Sequence, residues 1–169
     1  MKIAGVCISR IPSVTANSIQ VMKVCHALQQ TGSTVRLWAP EGKPAAWDEL
    51  AQHYGLETPF EVSWLSSARV LRRYDYALRA VQQARAWGAD VVYTWTPQAA
   101  LLALWLGMPA ILELHAPVTG RLGPLLMRGF LRQAGIKRLL VITKGRQRMR
   151  EHEFPGLMRA GAVGPDLFP

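Results

Sequence analysis

The sequence contains few cysteines and few acidic residues, and it has no long apolar run. Cys7 and Cys25 are the only cysteines among 169 residues, and their spacing matches no metal site. The longest apolar run, Ala99 to Leu106, falls well short of the roughly 20 residues that a membrane-spanning helix needs. We therefore expect buried, inert thiols, no signal peptide or spanning segment, and a cytoplasmic location.

Two phosphate-binding motifs are also missing from the first loop that could carry them. The segment 9–18 (SRIPSVTANS) lacks both G-x-G-x-x-G and G-x-x-x-x-G-K-[ST]. Without these glycines the loop has neither the dinucleotide fingerprint nor a P-loop. The absence argues against NAD-linked chemistry and against nucleoside triphosphate hydrolysis.

Positive charge is abundant and unevenly distributed. The chain has 20 Lys and Arg against 11 Asp and Glu, which gives a net charge of +9. Residues 1–120 carry ten basic and eight acidic side chains, and residues 121–169 carry ten and three, so +7 of the charge lies in the last third. Such a field attracts phosphate groups on nucleic acid, anionic lipid or substrate, although a merely solvated surface is equally compatible with it.

Apolar periodicity predicts strands that alternate with helices along most of the chain. The predicted strands are 2–9, 34–39, 60–65, 90–95, 109–115 and 137–143. The first predicted helix begins near Asn17, and the later ones span 44–54, 68–87, 97–106, 125–133 and 144–153. This alternation is typical of an α/β fold, a Rossmann-like three-layer sandwich with a mainly parallel twisted sheet. We predict one such domain over residues 1–153, followed by a Gly/Pro-rich tail or linker over 154–169.

The strongest candidate site lies at the end of the fifth predicted strand. Glu113 and His115 are two positions apart, so on a strand they point to the same face, and the strand breaks at Pro117. In open parallel sheets, ligands bind beyond the carboxyl ends of the strands. The pair is therefore a candidate for catalysis, with Glu113 orienting His115, while a hydrogen-bonded structural histidine is the open alternative.

Further candidates follow other predicted strands. They are Arg10, Ser13, Thr15 and Asn17 around the first helix start, Trp95 and Thr96 after the fourth strand, Thr119 after the fifth, and Lys144 and Arg146 after the sixth. Polar groups at a helix start can hold an anion or sugar hydroxyls, and Arg or Lys can hold a phosphate. The alternatives remain that Asn17, with Gln20 in a capping box, only caps its helix and that the basic residues are only solvated.

Three ordered segments carry a resemblance to a known family. They read SRIPSVTANSIQVMKVCHALQQTGSTVRLWAP, ADVVYTWTPQAALLALWLGMPAILELHAP and IKRLLVITKGRQRM, and the tail AVGPDLFP is similar to a shortened interdomain linker. Together they resemble the N-terminal, acceptor-side half of a family 4 glycosyltransferase of the two-domain GT-B type. In that family a histidine in the position of His115 borders the transfer site.

The resemblance implies a retaining transfer of a sugar from a nucleotide sugar to an acceptor hydroxyl. It further implies no bound metal and no tightly bound cofactor, a UDP- or GDP-sugar donor held mostly by a C-terminal GT-B domain in cis or trans, and a sugar or lipid-linked acceptor. His115 would stabilise the transferred sugar, and the loop from Arg10 to Asn17 would hold acceptor or diphosphate. This chain alone would then be inactive.

The sequence also leaves other functions open. A basic nucleic-acid-binding module is supported by net charge alone, so we expect no nucleic-acid partner. A non-catalytic membrane-docking or scaffold subunit would use the same sheet with the Arg-rich helix 68–87. In the transferase itself, the basic last third could dock on anionic lipid at the inner face of the membrane or bind a phosphorylated acceptor. A receiver-like domain is disfavoured because no acidic cluster ends the first strand.

Overall fold

A computed structural model describes residues 1–41, 44–67, 74–115, 118 and 122–141. The strands are β1 Lys2–Val6, β2 Thr34–Pro40, β3 Glu61–Leu65, β4 Val91–Thr94, β5 Ala110–Leu114 and β6 Lys137–Val141. The helices are α1 Ala16–Gln30, α2 Trp47–Tyr54, α3 Tyr74–Ala86, α4 Pro97–Trp105 and α5 Gly123–Arg132.

The six strands form one parallel sheet in the order β3-β2-β1-β4-β5-β6. The order reverses at β1, which pairs with β2 on one side and with β4 on the other. Because all strands run the same way, their carboxyl ends share one edge of the sheet. The α/β Rossmann-like prediction is confirmed.

Helices cover both faces of the sheet, and each face has its own apolar core. On one face, side chains such as Val21 and Cys25 of α1 pack against odd-numbered residues of β1, β2, β4 and β5, including Ile3 and Leu37. On the other face, α3, α4 and α5 pack against even-numbered residues of the same four strands. This alternation follows from the period of two in a strand. Glu113 and His115, being odd-numbered, therefore belong to the α1 face.

The start of α1 differs from the predicted capping box. The N-cap is Thr15, whose Oγ1 accepts a hydrogen bond from the backbone N of Ser18 at 3.3 Å. Asn17 lies inside the first turn and is exposed. The prediction that Asn17 and Gln20 form a capping box was therefore wrong, because a hydroxyl two residues earlier already satisfies the orphan N–H group.

Several predicted boundaries also shift. The strand β1 ends at Val6 instead of Ser9, and α2 begins at Trp47 instead of Pro44. The helix predicted from residue 68 is described from Tyr74 onward, and its first six residues lie outside the described part of the chain. The helix predicted over 144–153 and the tail also lie outside it, so the domain boundary stays a prediction.

A buried histidine ties α1 to the segment before β3. His26 is 8% exposed, and its Nε2 accepts hydrogen bonds from the backbone N of Glu57 at 3.1 Å and of Thr58 at 3.0 Å. A ring nitrogen that accepts carries no proton, so Nε2 serves here as an acceptor only. His26 thus has a structural role.

Within the described residues, none of the helices combines the length and the apolar character needed to cross a bilayer. The longest, α1, has 15 residues and includes polar and charged side chains.

Candidate functional site

Glu113 and His115 meet at the carboxyl edge of the sheet. Glu113 is near the end of β5 with its side chain only 5% exposed, and His115 follows the strand with 29% of its side chain exposed. Nε2 of His115 lies 2.8 Å from Oε1 of Glu113. The structure therefore brings the two predicted residues into contact, with the carboxylate inside and the imidazole at the surface.

The orientation of the imidazole ring is specific. Nε2 is buried, and its contact with Glu113 is close enough for an ion pair but lacks the alignment of a hydrogen bond. The exposed part of the ring consequently belongs to its other atoms. A carboxylate at one nitrogen of a histidine fixes the ring and leaves the opposite side for a ligand.

Two further residues hold the carboxylate, and neither was predicted as part of the site. The hydroxyl of Tyr93 in β4 donates to Oε2 of Glu113, and Nε2 of Gln20 in α1 donates to Oε1 at 3.4 Å. Tyr93 pairs with Ile111 of the neighbouring strand, which places its ring on the same face as Glu113. Hydrogen bonds from these donors replace those that water would make, and they offset the free-energy cost of burying the carboxylate.

Burial raises the pKa of Tyr93 well above its ordinary value, the hydrogen bond and the negative charge of Glu113 raise it further, and the electrostatic interaction with the titratable thiol of Cys25 adds to the same direction. Burial likewise raises the pKa of Cys25, helped by Cys7 and Glu113. Both effects have the same origin, since ionisation would place a second negative charge beside a carboxylate in a region shielded from water. Tyr93 therefore remains a neutral donor, and the thiols of Cys7 and Cys25 are both buried.

The two candidates after β4 differ in their surroundings. Trp95 is half-buried with its ring centroid 5.2 Å from that of Tyr93, and its indole N–H is buried without a partner among the described residues. Thr96 is 3% exposed, with its Oγ1 3.3 Å from Oγ1 of Thr94 and its backbone N bonded to the same oxygen at 3.2 Å. Trp95 thus borders the tyrosine that donates to Glu113, whereas the hydroxyl of Thr96 is hydrogen-bonded to Thr94 in the interior.

The loop between β1 and α1 is fastened by side chains from α2 and β3. The hydroxyl of Tyr54 accepts from the backbone N of Ser13 at 2.7 Å and donates to the carbonyl of Ser13 at 3.1 Å. Nε1 of Trp64 donates to the carbonyl of Ile11 at 2.9 Å. These bonds fix the loop backbone at the same edge of the sheet as Glu113.

Within that loop, the predicted residues have different roles. Arg10 is exposed, as is Asn17 in the first helical turn. The hydroxyls of Ser13 and Thr15 lie 3.0 Å apart, and that of Ser13 also accepts from the backbone N of Thr15 at 3.2 Å. The two hydroxyls are thus engaged with each other and with the helix start, while Arg10 and Asn17 point outward from the fastened loop.

Three predicted site residues, Thr119, Lys144 and Arg146, lie outside the described part of the chain. In the part that is described, no three His, Cys, Asp or Glu side chains converge as metal ligands would. The described residues at this edge are therefore a carboxylate, an imidazole, a phenol, an amide and an indole. Such groups can orient and polarise a hydroxylated ligand through hydrogen bonds.

Comparison with protein families gives a match over most of the chain. The model described as Glycosyltransferase Family 4 matches residues 18–151. No curated relative is similar enough in sequence to count as a match.

Comparison with solved structures concerns the fold. The crystal structure of Acinetobacter baumannii MurG is similar with a TM-score of 0.53 and 14% identity, over 84% of this chain and 45% of that one. The glycosyltransferase SsfS6 of Streptomyces sp. SF2575 is similar with a TM-score of 0.46 and 17% identity, over 79% and 44%. The chain thus spans less than half the length of the MurG chain that it matches.

Proposed function

We propose that this chain, which belongs to glycosyltransferase family 4, is the acceptor-binding domain of a retaining enzyme. Such an enzyme moves a sugar from a nucleotide sugar to an acceptor hydroxyl. The observation that carries the proposal is the Glu113–His115 contact at the carboxyl edge of a parallel sheet, where the imidazole is partly exposed. Ligands of open α/β sheets bind at this edge.

In the proposed mechanism His115 lies beside the sugar being transferred. The exposed part of its ring hydrogen-bonds a sugar hydroxyl and helps to stabilise the charge that develops in transfer, while the nearby Glu113 carboxylate sets the orientation of the ring. Because Glu113 is itself held by neighbours on α1 and β4, the ring is oriented before the ligand arrives. Positioning of this kind lowers the barrier without covalent chemistry and needs no bound metal in this domain.

The fastened β1–α1 loop supplies the second part of the proposed site. Arg10 is exposed on a loop whose backbone is fixed by Tyr54 and Trp64. A guanidinium on a fixed loop can bind the diphosphate of the donor or a phosphorylated acceptor at low cost in entropy. Trp95, half-buried beside the ring of Tyr93, offers an apolar wall to the acceptor.

The donor side belongs to another domain in this proposal. A UDP- or GDP-sugar is held mainly by a C-terminal GT-B domain, in cis or in trans, and this chain alone turns over no donor. The acceptor is a sugar or a lipid-linked sugar. The limited share of the MurG length that the chain covers supports a two-domain arrangement.

A membrane-docking role is favoured by one surface of α5. Leu122 and Leu125 are 49% and 60% exposed, and Arg128 and Arg132 on the same helical side are also exposed. Apolar side chains flanked by arginines suit the interface of an anionic bilayer. We propose that this α5 surface places the domain on the inner face of the membrane, either as part of the transferase or as a non-catalytic docking subunit.

The transferase proposal is tested with a protein that contains this chain and a donor-binding domain. Release of UDP or GDP from a panel of nucleotide sugars is measured with sugar and lipid-linked acceptors present. Arg10→Ala is expected to raise KM about tenfold, the effect of losing one charge-assisted contact. Arg85→Ala, which removes another exposed arginine at the end of α3, is the matched control. Absence of turnover with every donor would contradict the proposal.

The docking role is tested by sedimentation of the chain with vesicles. We expect binding to phosphatidylglycerol-containing vesicles and none to phosphatidylcholine alone. Leu122→Ser with Leu125→Ser should reduce the bound fraction strongly, whereas Leu78→Ser, an exposed leucine of α3, should leave it unchanged. An equal loss of binding in the Leu122→Ser/Leu125→Ser variant and in the Leu78→Ser variant would show that the α5 surface does not mediate binding to the vesicles.

A further inference from the structure

We propose that Tyr93 and Gln20 are positioning residues, which together fix the Glu113 carboxylate against Nε2 of His115 so that Nδ1 is the ring nitrogen presented to a ligand. The identity of that ligand rests on the proposed function, but the geometry does not. Of these four residues, only Glu113 and His115 were predicted from the sequence as site residues.

The first step concerns the carboxylate. Glu113 has both oxygens occupied: Oε2 accepts from the Tyr93 hydroxyl, and Oε1 contacts Gln20 at 3.4 Å and His115 at 2.8 Å. The partners come from three elements, β4, α1 and the end of β5. Because contacts from separate elements restrain both oxygens, the carboxylate has little freedom to rotate away from the imidazole.

The second step concerns the donor from β4. Tyr93 is 8% exposed, and its ring is flanked by that of Trp95 at 5.2 Å between centroids. Packing on this scale holds the hydroxyl in place, and its raised pKa keeps it protonated. Tyr93 therefore donates to Glu113 over the whole pH range in which a transferase is active.

The third step concerns the imidazole itself. Nε2 is buried although 29% of the His115 side chain is exposed. A carboxylate favours a proton on the nitrogen that faces it, which makes Nδ1 an acceptor in the neutral ring and a donor in the charged one. His115 can then accept a hydrogen bond from a sugar hydroxyl at Nδ1 while Glu113 holds the ring proton on Nε2.

The positioning role is tested by nitrogen-15 NMR of the histidine rings in this chain, with His115 assigned by the signal lost in His115→Ala. We expect the neutral form of the ring to carry its proton on Nε2, with slow exchange of that proton with water. Tyr93→Phe and Gln20→Leu should each speed the exchange about tenfold, because each removes one hydrogen bond that restrains Glu113. Gln20 is only half-buried, so its variant is informative even if Tyr93→Phe does not fold.

The matched control is Tyr76→Phe. Tyr76 is a fully buried tyrosine of α3 whose hydroxyl donates to the carbonyl of Trp38 at 2.7 Å, on the opposite face of the sheet. Its removal should leave the His115 signals unchanged. A parent ring protonated at Nδ1, or exchange as slow as in the parent in both test variants, would overturn the proposal. A response in only one variant would remove the other residue from it.

Failure here is distinguishable from failure of the proposed function. In the protein with a donor-binding domain, Tyr93→Phe should lower kcat about tenfold with KM nearly unchanged. If His115→Ala retained full activity, the transferase role of the site would fail whatever the NMR result. If His115→Ala lost activity while Tyr93→Phe matched the parent in kcat and exchange, only the positioning role would fail.

Discussion

Replacing Tyr93 by Phe should destabilise the fold at neutral pH by an amount that shrinks in alkali. The change removes the hydroxyl that donates to the buried carboxylate of Glu113 and leaves the ring in place. Hydrogen bonds to charged groups contribute about 1.5–3 kcal/mol. We therefore expect the free energy of unfolding at pH 7 to fall by about that much.

The pH dependence follows from the raised pKa of Tyr93 in the folded state. At pH 11 the folded phenol is still protonated, whereas the phenol of the unfolded chain, with a pKa of about 10, is mostly ionised. The folded state then binds more protons than the unfolded one, so the stability of the parent falls as pH rises, by about 1.4 kcal/mol at pH 11. Phe does not titrate, so the deficit of the variant shrinks by that amount.

The assay is urea unfolding followed by tryptophan fluorescence at pH 7 and pH 11. Gln20→Leu is the control, since it also removes a donor to Glu113 but no titrating group, and its deficit should be the same at both pH values. A Tyr93→Phe deficit that is absent at pH 7, or equally large at pH 11, would contradict a protonated Tyr93 hydroxyl that donates to Glu113 in the folded state.

Three other predictions concern the α1 face. His26→Leu leaves the two backbone N–H groups before β3 without their acceptor and should cost about 2 kcal/mol of unfolding free energy, whereas exposed His53→Leu should cost little. Cys25, with its raised pKa and complete burial, should resist a thiol reagent at pH 8.5 until urea unfolds the chain, as mass spectrometry would show; rapid labelling of the native protein would contradict its burial. Gly5→Ala places a methyl group 3.0 Å from Cδ1 of Leu37 and should lower the melting temperature by several degrees, and an unchanged melting temperature would mean that the leucine moves away freely.

The fold was predictable from the sequence because strand-like and helix-like apolar patterns alternate several times along the chain. Short β-rich runs alternate with apolar-striped helices, and glycines such as Gly32 and Gly107, which adopt positive φ here, end two of those helices. The sharp boundaries were less accessible. Near the start of α1, several Ser, Thr and Asn side chains within a few residues could each cap the helix, and only the folded geometry selects Thr15.

The site was predictable only in part. The contact between Glu113 and His115 could be predicted because both lie in one predicted strand, where a spacing of two fixes a common face. Tyr93 and Gln20 could not, since they are 20 and 93 residues away from Glu113 along the chain and depend on strand register and helix docking. A useful signal was present for Tyr93 alone, because a polar aromatic residue in an apolar strand beside a buried carboxylate usually has a hydrogen-bond partner.

The assignment of His115 to the transfer site is tested most simply by comparing His115→Ala with His53→Ala in a protein that contains this chain and a donor-binding domain. Both variants replace one exposed or partly exposed imidazole, but only His115 contacts Glu113. We predict that His115→Ala lowers sugar transfer by about 100-fold, the typical contribution of a positioned acid–base or electrostatic group, with a melting temperature close to that of the parent. Transfer by His115→Ala at the rate of His53→Ala would contradict the assignment of this edge of the sheet as the transfer site.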